Sequence, residues 1–322
     1  MKLGVTMPVD DGLTAPQYLE LVRAAEECGY DSAWVGEVAG PEAFSMLGLM
    51  LGATDRIRVG TGIASIYPRT APLAAMAYAT LASAAPGRVL AGLGVSSPLI
   101  VREWHGLAYE RPVEKAEAYI AALRAAWAGE KVRGFRPTLP VAHPPPIVLG
   151  AMNPRMLRLA GRVADGVFLT WCPPSEVAPR LALVRDGERE AGRAPGSVWA
   201  MVSFWAYAAD RVDEAMARMR RLVLQYAMVP THAPSFAGSF PSLARATDLW
   251  TAGDRRGALA LVPDGAVHHM CAVGDGGAVA ERAAAFAAEG IDLAVALTPG
   301  ATAGDLDGPL ATIRRTARAA GL

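Results

Sequence analysis

Arg56-Ile57-Arg58-Val59-Gly60-Thr61-Gly62-Ile63-Ala64-Ser65-Ile66-Tyr67-Pro68-Arg69 is a short β-rich run that ends in closely spaced glycines, just ahead of an alanine-rich helical segment. A strand ending in Gly-Thr-Gly-Ile lets another backbone or a flat ligand approach more closely than any side chain would allow. The stretch predicts a strand whose end receives something planar. Its neighbours on either side decide what sheet it belongs to.

Working outward, Lys2 to Met7 reads as a strand, Ala15 to Cys28 as an amphipathic helix stopped by Gly29, Ser32 to Gly36 as a second strand and Pro41 to Ala53 as a helix. Ile57 to Thr61 is the third strand, Pro72 to Ala84 a helix, and Arg88 to Leu93 a fourth strand. This strict alternation demands a parallel sheet. Val113 to Ala128 is helical, and the proline-rich crossing Pro137 to Pro146 reads as a loop because the rhythm resumes at once. Ile147 to Leu149, Gly166 to Thr170, Val198 to Ala208 and Leu293 to Leu297 complete eight strands, with helices from Pro154 and over Ser175 to Ala191, Val212 to Tyr226, Ala278 to Glu289 and Leu306 to Ala319. Eight strands fit an α/β fold of the (β/α)8 TIM-barrel type better than an open sheet. The segment 229–263 breaks the rhythm and is expected to be a helical insertion in a single domain spanning 1–322.

Composition narrows the function. The chain has 322 residues, 52% of them apolar, enough for a large core, and 31 basic against 31 acidic residues give no field that would favour nucleic acid or an anionic membrane. Cys28, Cys172 and Cys271 are odd in number and widely spaced, which argues against a disulfide framework or a zinc site and predicts a reducing, cytoplasmic compartment. Asp10 and Asp11 interrupt the N-terminus before a signal-peptide core develops, and no apolar run reaches the roughly 18 residues of a membrane span. In Glu42 to Ala53 and Leu73 to Ala84 the apolar residues surround the helix, so both helices are expected to be covered on two sides, by a second copy in a homodimer.

In such barrels the active site lies at the C-terminal ends of the strands. Those ends are Thr6 to Pro8, Gly36 and Glu37, Gly62 to Ser65, Gly94 to Ser97, Gly150 to Asn153, Thr170 and Trp171, and Ser203 to Tyr207. They hold one carboxylate, no histidine and many small residues, a mouth suited to a cofactor that carries the chemistry to a small-molecule substrate. Gly92-Leu93-Gly94-Val95-Ser96-Ser97 has Ser97 where a dinucleotide fingerprint has its third glycine, so nicotinamide binding through this loop is rejected.

Four stretches together resemble the signatures of the bacterial luciferase-like flavin monooxygenase superfamily: Ser32-Ala33-Trp34-Val35-Gly36-Glu37, Arg58 to Ile63, Gly87 to Gly94, and Leu149-Gly150-Ala151-Met152-Asn153-Pro154-Arg155-Met156. Within it the chain is similar to the branch that uses the deazaflavin coenzyme F420, which includes methylenetetrahydromethanopterin reductase. The resemblance implies a non-proline cis peptide at Gly62-Ile63, whose bulge, continuing into Ala64, backs the cofactor ring. It implies a phosphate seat at Gly150, Ala151, Asn153 and Arg155, where a helix N-terminus presents free N–H groups; read from the residues alone, Asn153 is a helix cap and Arg155 an exposed first-turn arginine. Ser96 and Ser97 are expected on the cofactor tail.

Two departures bear on the chemistry. Relatives place an acidic residue near Ser97, absent here, and a histidine after the acid that ends the second strand, where this chain has Val38. Glu37 becomes the candidate general acid, its other reading being a solvent-facing or helix-capping carboxylate. Thr6, Tyr67, Trp104 and Trp171 are candidate walls of a substrate pocket, whereas Trp34 reads as core. His105, His143, His232 and the adjacent His268 and His269 carry no metal-ligand pattern. The expected function is hydride transfer between C5 of F420 and a small organic substrate. The alternatives are a reduced-FMN monooxygenase of the same fold and a barrel that binds cofactor without turnover.

Overall fold

All eight expected strands form, and every pairing between them is parallel. The structure is a computed structural model that describes residues 2–229 and 232–322; Met1, and Pro230 and Thr231 of the expected insertion, lie outside the described residues. In chain order the first half runs β1 (Lys2–Thr6), α1 (Ala15–Glu27), β2 (Ser32–Val35), α2 (Ala43–Gly52), β3 (Arg58–Thr61), β4 (Ala64–Ser65), α3 (Ala71–Ala84), β5 (Val89–Gly94) and α4 (Pro112–Trp127). Next come β6 (Ile147–Gly150), α5 (Pro154–Val163), β7 (Gly166–Thr170), α6 (Val177–Glu190), β8 (Trp199–Tyr207) and α7 (Val212–Ala227). The chain ends with α8 (Pro234–Ala237), α9 (Ser242–Thr251), α10 (Arg255–Ala260), α11 (Asp264–Met270), β9 (Cys271–Val273), α12 (Gly276–Ala288), β10 (Leu293–Leu297) and α13 (Asp307–Ala320). Pairing of β10 with both β8 and β1 closes an eight-stranded barrel, as the alternation of elements predicted.

Strands covered by helices on one side and by each other on the other are apolar throughout. The interior is a separate cluster of Trp34, Leu90, Val148, Phe168, Met201, Leu293 and Val295. Trp34 is fully buried, as its reading as core required, and its indole Nε1 donates to Ser32 Oγ at 2.9 Å. A Cβ at Gly60 would stand 2.6 Å from the Trp34 ring, and one at Gly92 only 1.8 Å from the Thr61 carbonyl oxygen. The flat group received at Gly60 is therefore the chain's own tryptophan.

Two features differ from the sequence reading. The helical insertion continues past position 263 through α11, and β9 follows it, pairing with the upper end of β8 at Trp205–Tyr207. Three residues are too short a run to register as a strand against the adjoining helix. Helices α2 and α3 leave Leu49, Met76 and Leu73 about half exposed, so within one chain their outer face has no cover. Among the described residues no helix is long and apolar enough to cross a membrane.

Two polar clusters tie down the loops and the strand start that matter below. Arg218 on α7 donates Nη1 to Gly300 O at 2.7 Å and pairs through Nη2 with Asp11, whose Oδ2 accepts from Gly300 N at 2.7 Å. Glu26 at the end of α1 receives the backbone N–H groups of Asp55, Arg56 and Ile57 at 3.0, 2.6 and 2.9 Å on Oε1, which sets the entry of β3. Burial pushes the Glu26 carboxyl up, but the three N–H groups outweigh it and hold it below its usual 4.5. The fold thus favours the ionised form, and the stabilisation is full above pH 4.5 and lost as pH falls through the folded value. Glu26→Gln is expected to lower stability by about 1–2 kcal/mol at pH 7 in urea titrations. The gap from the unmodified chain should close as the pH is taken below 4.5.

Candidate active site

The strand ends open where the sequence placed the mouth. Strands β6, β7 and β10 are buried along their length until the last residue, and Gly150, Thr170 and Leu297 are each half-buried. Gly62 and Ile63 share that exposure, and their peptide bond is cis. Strand β3 breaks off here. Gly62 N donates to Val35 O at 2.7 Å, and the chain resumes as β4 against the end of β5, with Ala64 buried beside Leu93. The Ile63 side chain lies across the next two strand ends: a Cβ at Gly94 would be 2.5 Å from Ile63 Cδ1, and one at Gly150 3.3 Å from Ile63 Cγ2. Two glycine notches thus seat a flat aliphatic shelf above the packed interior.

Beside the shelf stands an ion pair. Arg69 Nη1 donates to both oxygens of Glu37, at 3.1 and 3.0 Å, while its Nη2 pairs with Glu42 and its guanidinium lies 4.4 Å from the centre of the Phe44 ring. Glu42 in turn caps α2, accepting from Ser45 N at 2.7 Å. Burial would lower the Arg69 pKa, but the two carboxylates outweigh it and raise it. Glu37 Oε2 also accepts from Ser65 N at 3.4 Å. Both oxygens of Glu37, the candidate general acid, thus accept from the Arg69 guanidinium.

The remaining expected residues divide. Thr6, on the inward-facing register of β1, is buried and its hydroxyl has no hydrogen-bond partner. Ser96 and Ser97 are half-buried at the mouth, Ser96 with a left-handed φ of 56°, and Ser97 Oγ accepts from Ile100 N at 3.3 Å, capping the turn Ile100–Trp104. Asn153 Oδ1 accepts from Met156 N at 3.0 Å and caps α5, while Ala151 is buried behind the Gly150 notch. Arg155 is exposed and its Nη2 donates to Glu114 Oε1 at 2.7 Å in a surface ion pair.

The three aromatic candidates lie in different surroundings. Trp104 is 52% exposed on the turn after β5. Tyr67 is buried, donating its hydroxyl to Glu110 O at 2.9 Å and stacking on Tyr109, because the loop before α4 folds over it. Trp171 is buried too, with its ring 3.8 Å from that of Tyr226 at the end of α7 and close to Trp205 and Phe236. The segment after α7 covers it. His232 joins this cluster, and burial, then the charge of Arg180, push its imidazole down to about 4.

Sequence reasoning missed Arg69, although it closes the opening stretch, and missed the Ser203 hydroxyl donating to Thr170 Oγ1 at 3.1 Å on the floor. Among the described residues no group of His, Cys, Asp or Glu is placed to hold a metal ion. Burial raises the Cys172 and Cys271 thiols to about 12, which removes both as nucleophiles. The mouth offers an apolar shelf, hydroxyls and the N-terminus of α5, where Asn153 takes the Met156 N–H and Pro154 has none to give. That donor set suits a ring on the shelf and an anion at the helix end.

Comparison with known proteins agrees with the barrel fold. The family model described as luciferase-like monooxygenase matches residues 1–293. A putative coenzyme F420-dependent oxidoreductase of Mycobacterium tuberculosis is 29% identical over 92% of this chain and 94% of its own. The 5,10-methylenetetrahydromethanopterin reductase of Methanolobus tindarius is 30% identical over 66% of each chain. The solved structure of the coenzyme F420-dependent tetrahydromethanopterin reductase of Methanopyrus kandleri superposes with a TM-score of 0.81 over 98% of this chain and 97% of that one, at 18% identity, a likeness of fold.

The seating of Ile63 is testable without any ligand. Gly94→Ala should displace the isoleucine and lower stability by about 1–3 kcal/mol. Ile63→Val alone should lower it by about 0.5–1.5 kcal/mol. Since Ile63→Val removes Cδ1, the nearer of the two atoms the new methyl would strike, and leaves Cγ1 at 2.9 Å, the double variant should lose less than the sum in urea denaturation. Additive losses would mean that Ile63 does not occupy the Gly94 notch.

Proposed function

The chain belongs to the luciferase-like monooxygenase family and is an oxidoreductase, and from that premise we propose that it binds coenzyme F420 in the barrel mouth and transfers a hydride between the deazaflavin and a small organic substrate. The observation that carries this reading is the Ile63 shelf: an aliphatic side chain seated in two glycine notches at the centre of a mouth whose one carboxylate is already paired. Such a site binds and orients, and leaves bond-breaking to a bound group. The deazaflavin supplies a C5 position that accepts or donates hydride. The relatives named for F420, in Mycobacterium tuberculosis and Methanopyrus kandleri, favour it over FMN.

The chain's own residues have defined parts in this reading. Gly62, Ile63 and Ala64 back one face of the ring, so that substrate approaches the other. Ser96, Ser97 and the α5 N-terminus, approached over Gly150 and Ala151, hold the phosphate-bearing tail through hydroxyls and the backbone N–H groups of Met152, Asn153 and Arg155, the Ala151 N–H being given to Phe168 O at 3.1 Å. The Thr6 hydroxyl, buried without a partner, and the Thr170–Ser203 pair offer hydrogen bonds to the polar atoms of the bound molecules. Trp104 on the exposed turn and the aromatic cluster around Trp171 border the space left for substrate.

Two copies are proposed to associate through α2 and α3, since Leu49, Leu73 and Met76 otherwise face water together on neighbouring helices. Three free thiols suit the cytoplasm. Sedimentation at micromolar concentration should return a dimer, and Leu49→Glu with Met76→Glu a folded monomer; a monomeric unmodified chain would end the dimer proposal.

Parallel fluorescence titrations of the apoprotein with F420 and with FMN test the cofactor. Micromolar or tighter binding of F420 alone is expected. Preference for FMN would move the reading to a reduced-flavin monooxygenase. Tight F420 binding with no reduction or oxidation of any acceptor would mark a barrel that binds without turnover.

A further inference from the structure

Three chain segments meet at Arg69, and none of them is held in place by regular secondary structure. The loop after β2 brings Glu37, the N-cap of α2 brings Glu42, and the loop between β4 and α3 brings Arg69 itself. The guanidinium divides its nitrogens between the two carboxylates and stacks on Phe44, with 16% of its side chain exposed. Glu37 then reaches the shelf twice: its backbone N–H donates to Ile63 O at 3.4 Å, and its Oε2 accepts from Ser65 N at 3.4 Å. Ile63 is thus bracketed by contacts to one residue, and that residue is held by one arginine. Backbone bonds from Gly62 N to Val35 O at 2.7 Å and from Ile66 N to Gly94 O at 3.0 Å hold the two ends of the segment, whereas the side-chain contact to Ser65 N in its middle is long and holds only while the Glu37 carboxylate is fixed from its other side.

We propose that Glu37 and Arg69 are positioning residues, whose ion pair ties the loops after β2 and β3 together and so keeps Ile63 seated in the Gly94 and Gly150 notches. The consequence for cofactor affinity rests on the reading of Ile63 as the shelf behind F420. The pair differs from a surface ion pair in geometry, because one nitrogen serves both oxygens of Glu37 while the other serves a helix cap.

The test uses Glu37→Gln, Arg69→Met, the double variant and Arg69→Lys, with amide hydrogen exchange on the cofactor-free protein and fluorescence titration with F420. Both single variants should speed exchange at position 37 and at 62–66 while leaving strands β7 and β8 unchanged. Each should weaken F420 about tenfold, the size of a lost charge-assisted hydrogen bond. The double variant should be no worse than either single one, because the two residues act as one unit. Arg69→Lys, which keeps a charged donor for Glu37, should recover much of the slow exchange. Unchanged exchange at 62–66, or Glu37→Gln binding F420 as tightly as the unmodified chain, would overturn the proposal. Faster local exchange in a chain whose unmodified form binds no F420 would uphold the positioning role and overturn the cofactor reading instead.

Discussion

One indole decides how the barrel is filled. Trp34 occupies the centre, and its register partner on β3 can carry no side chain: a Cβ at Gly60 would stand 2.6 Å from its ring, and just beyond the strand one at Gly62 would stand 3.0 Å from its Cβ. Barrel interiors are packed cores and not pores, so a large group on one strand must be matched by absence on the next. With the centre sealed, the site has to be built on top, and the shallow floor at Gly62, Ile63 and Thr170 follows. The same exchange of bulk for absence recurs one layer up, where Ile63 is met by Gly94 and Gly150.

The fold was legible because a doubly covered parallel strand is apolar on both faces, and eight such runs alternate with helical periods. The glycines of the opening stretch were legible as close approach, but not which group approaches: at Gly60 it is Trp34, at Gly94 it is Ile63. Asn153 was readable as a cap because its hydrogen bond is local. Long side chains were not readable, since their partners come from distant sequence. Arg155 found Glu114, Arg69 found Glu37 and Glu42, and Tyr67 was covered by the loop ending at Glu110. The insertion was visible as a break in rhythm, but its cover over Trp171 depends on a ring stack that no periodicity records.

Polar groups are used differently at the two ends of the barrel. Where strands begin, backbone groups are saturated. Glu26 holds the start of β3, and Arg88 donates to Ile57 O and Thr54 O at 3.1 and 2.9 Å. Asp165 accepts from Ile147 N at 2.7 Å, and Asp292 from Ala200 N at 2.8 Å. Glu188, fully buried, takes Val198 N and Gly196 N. Where the strands end, Thr6 keeps a buried hydroxyl without a partner. A hydroxyl left unmatched lowers stability by about 1–3 kcal/mol, a loss that a partner arriving in the mouth would recover.

The clasp of Arg218 with Asp11 and Gly300 fastens α7 to the loops that follow β1 and β10. Every residue of the inserted helices lies beyond that fastening, and the chain returns to the barrel only at β9. The inserted helices are not loose beyond it: Phe236, Leu243, Val262 and Met270 share one buried cluster with Trp171, Trp205 and Tyr207 of the barrel, so the rim at the ends of β7 and β8 is shaped by a segment anchored at both of its own ends.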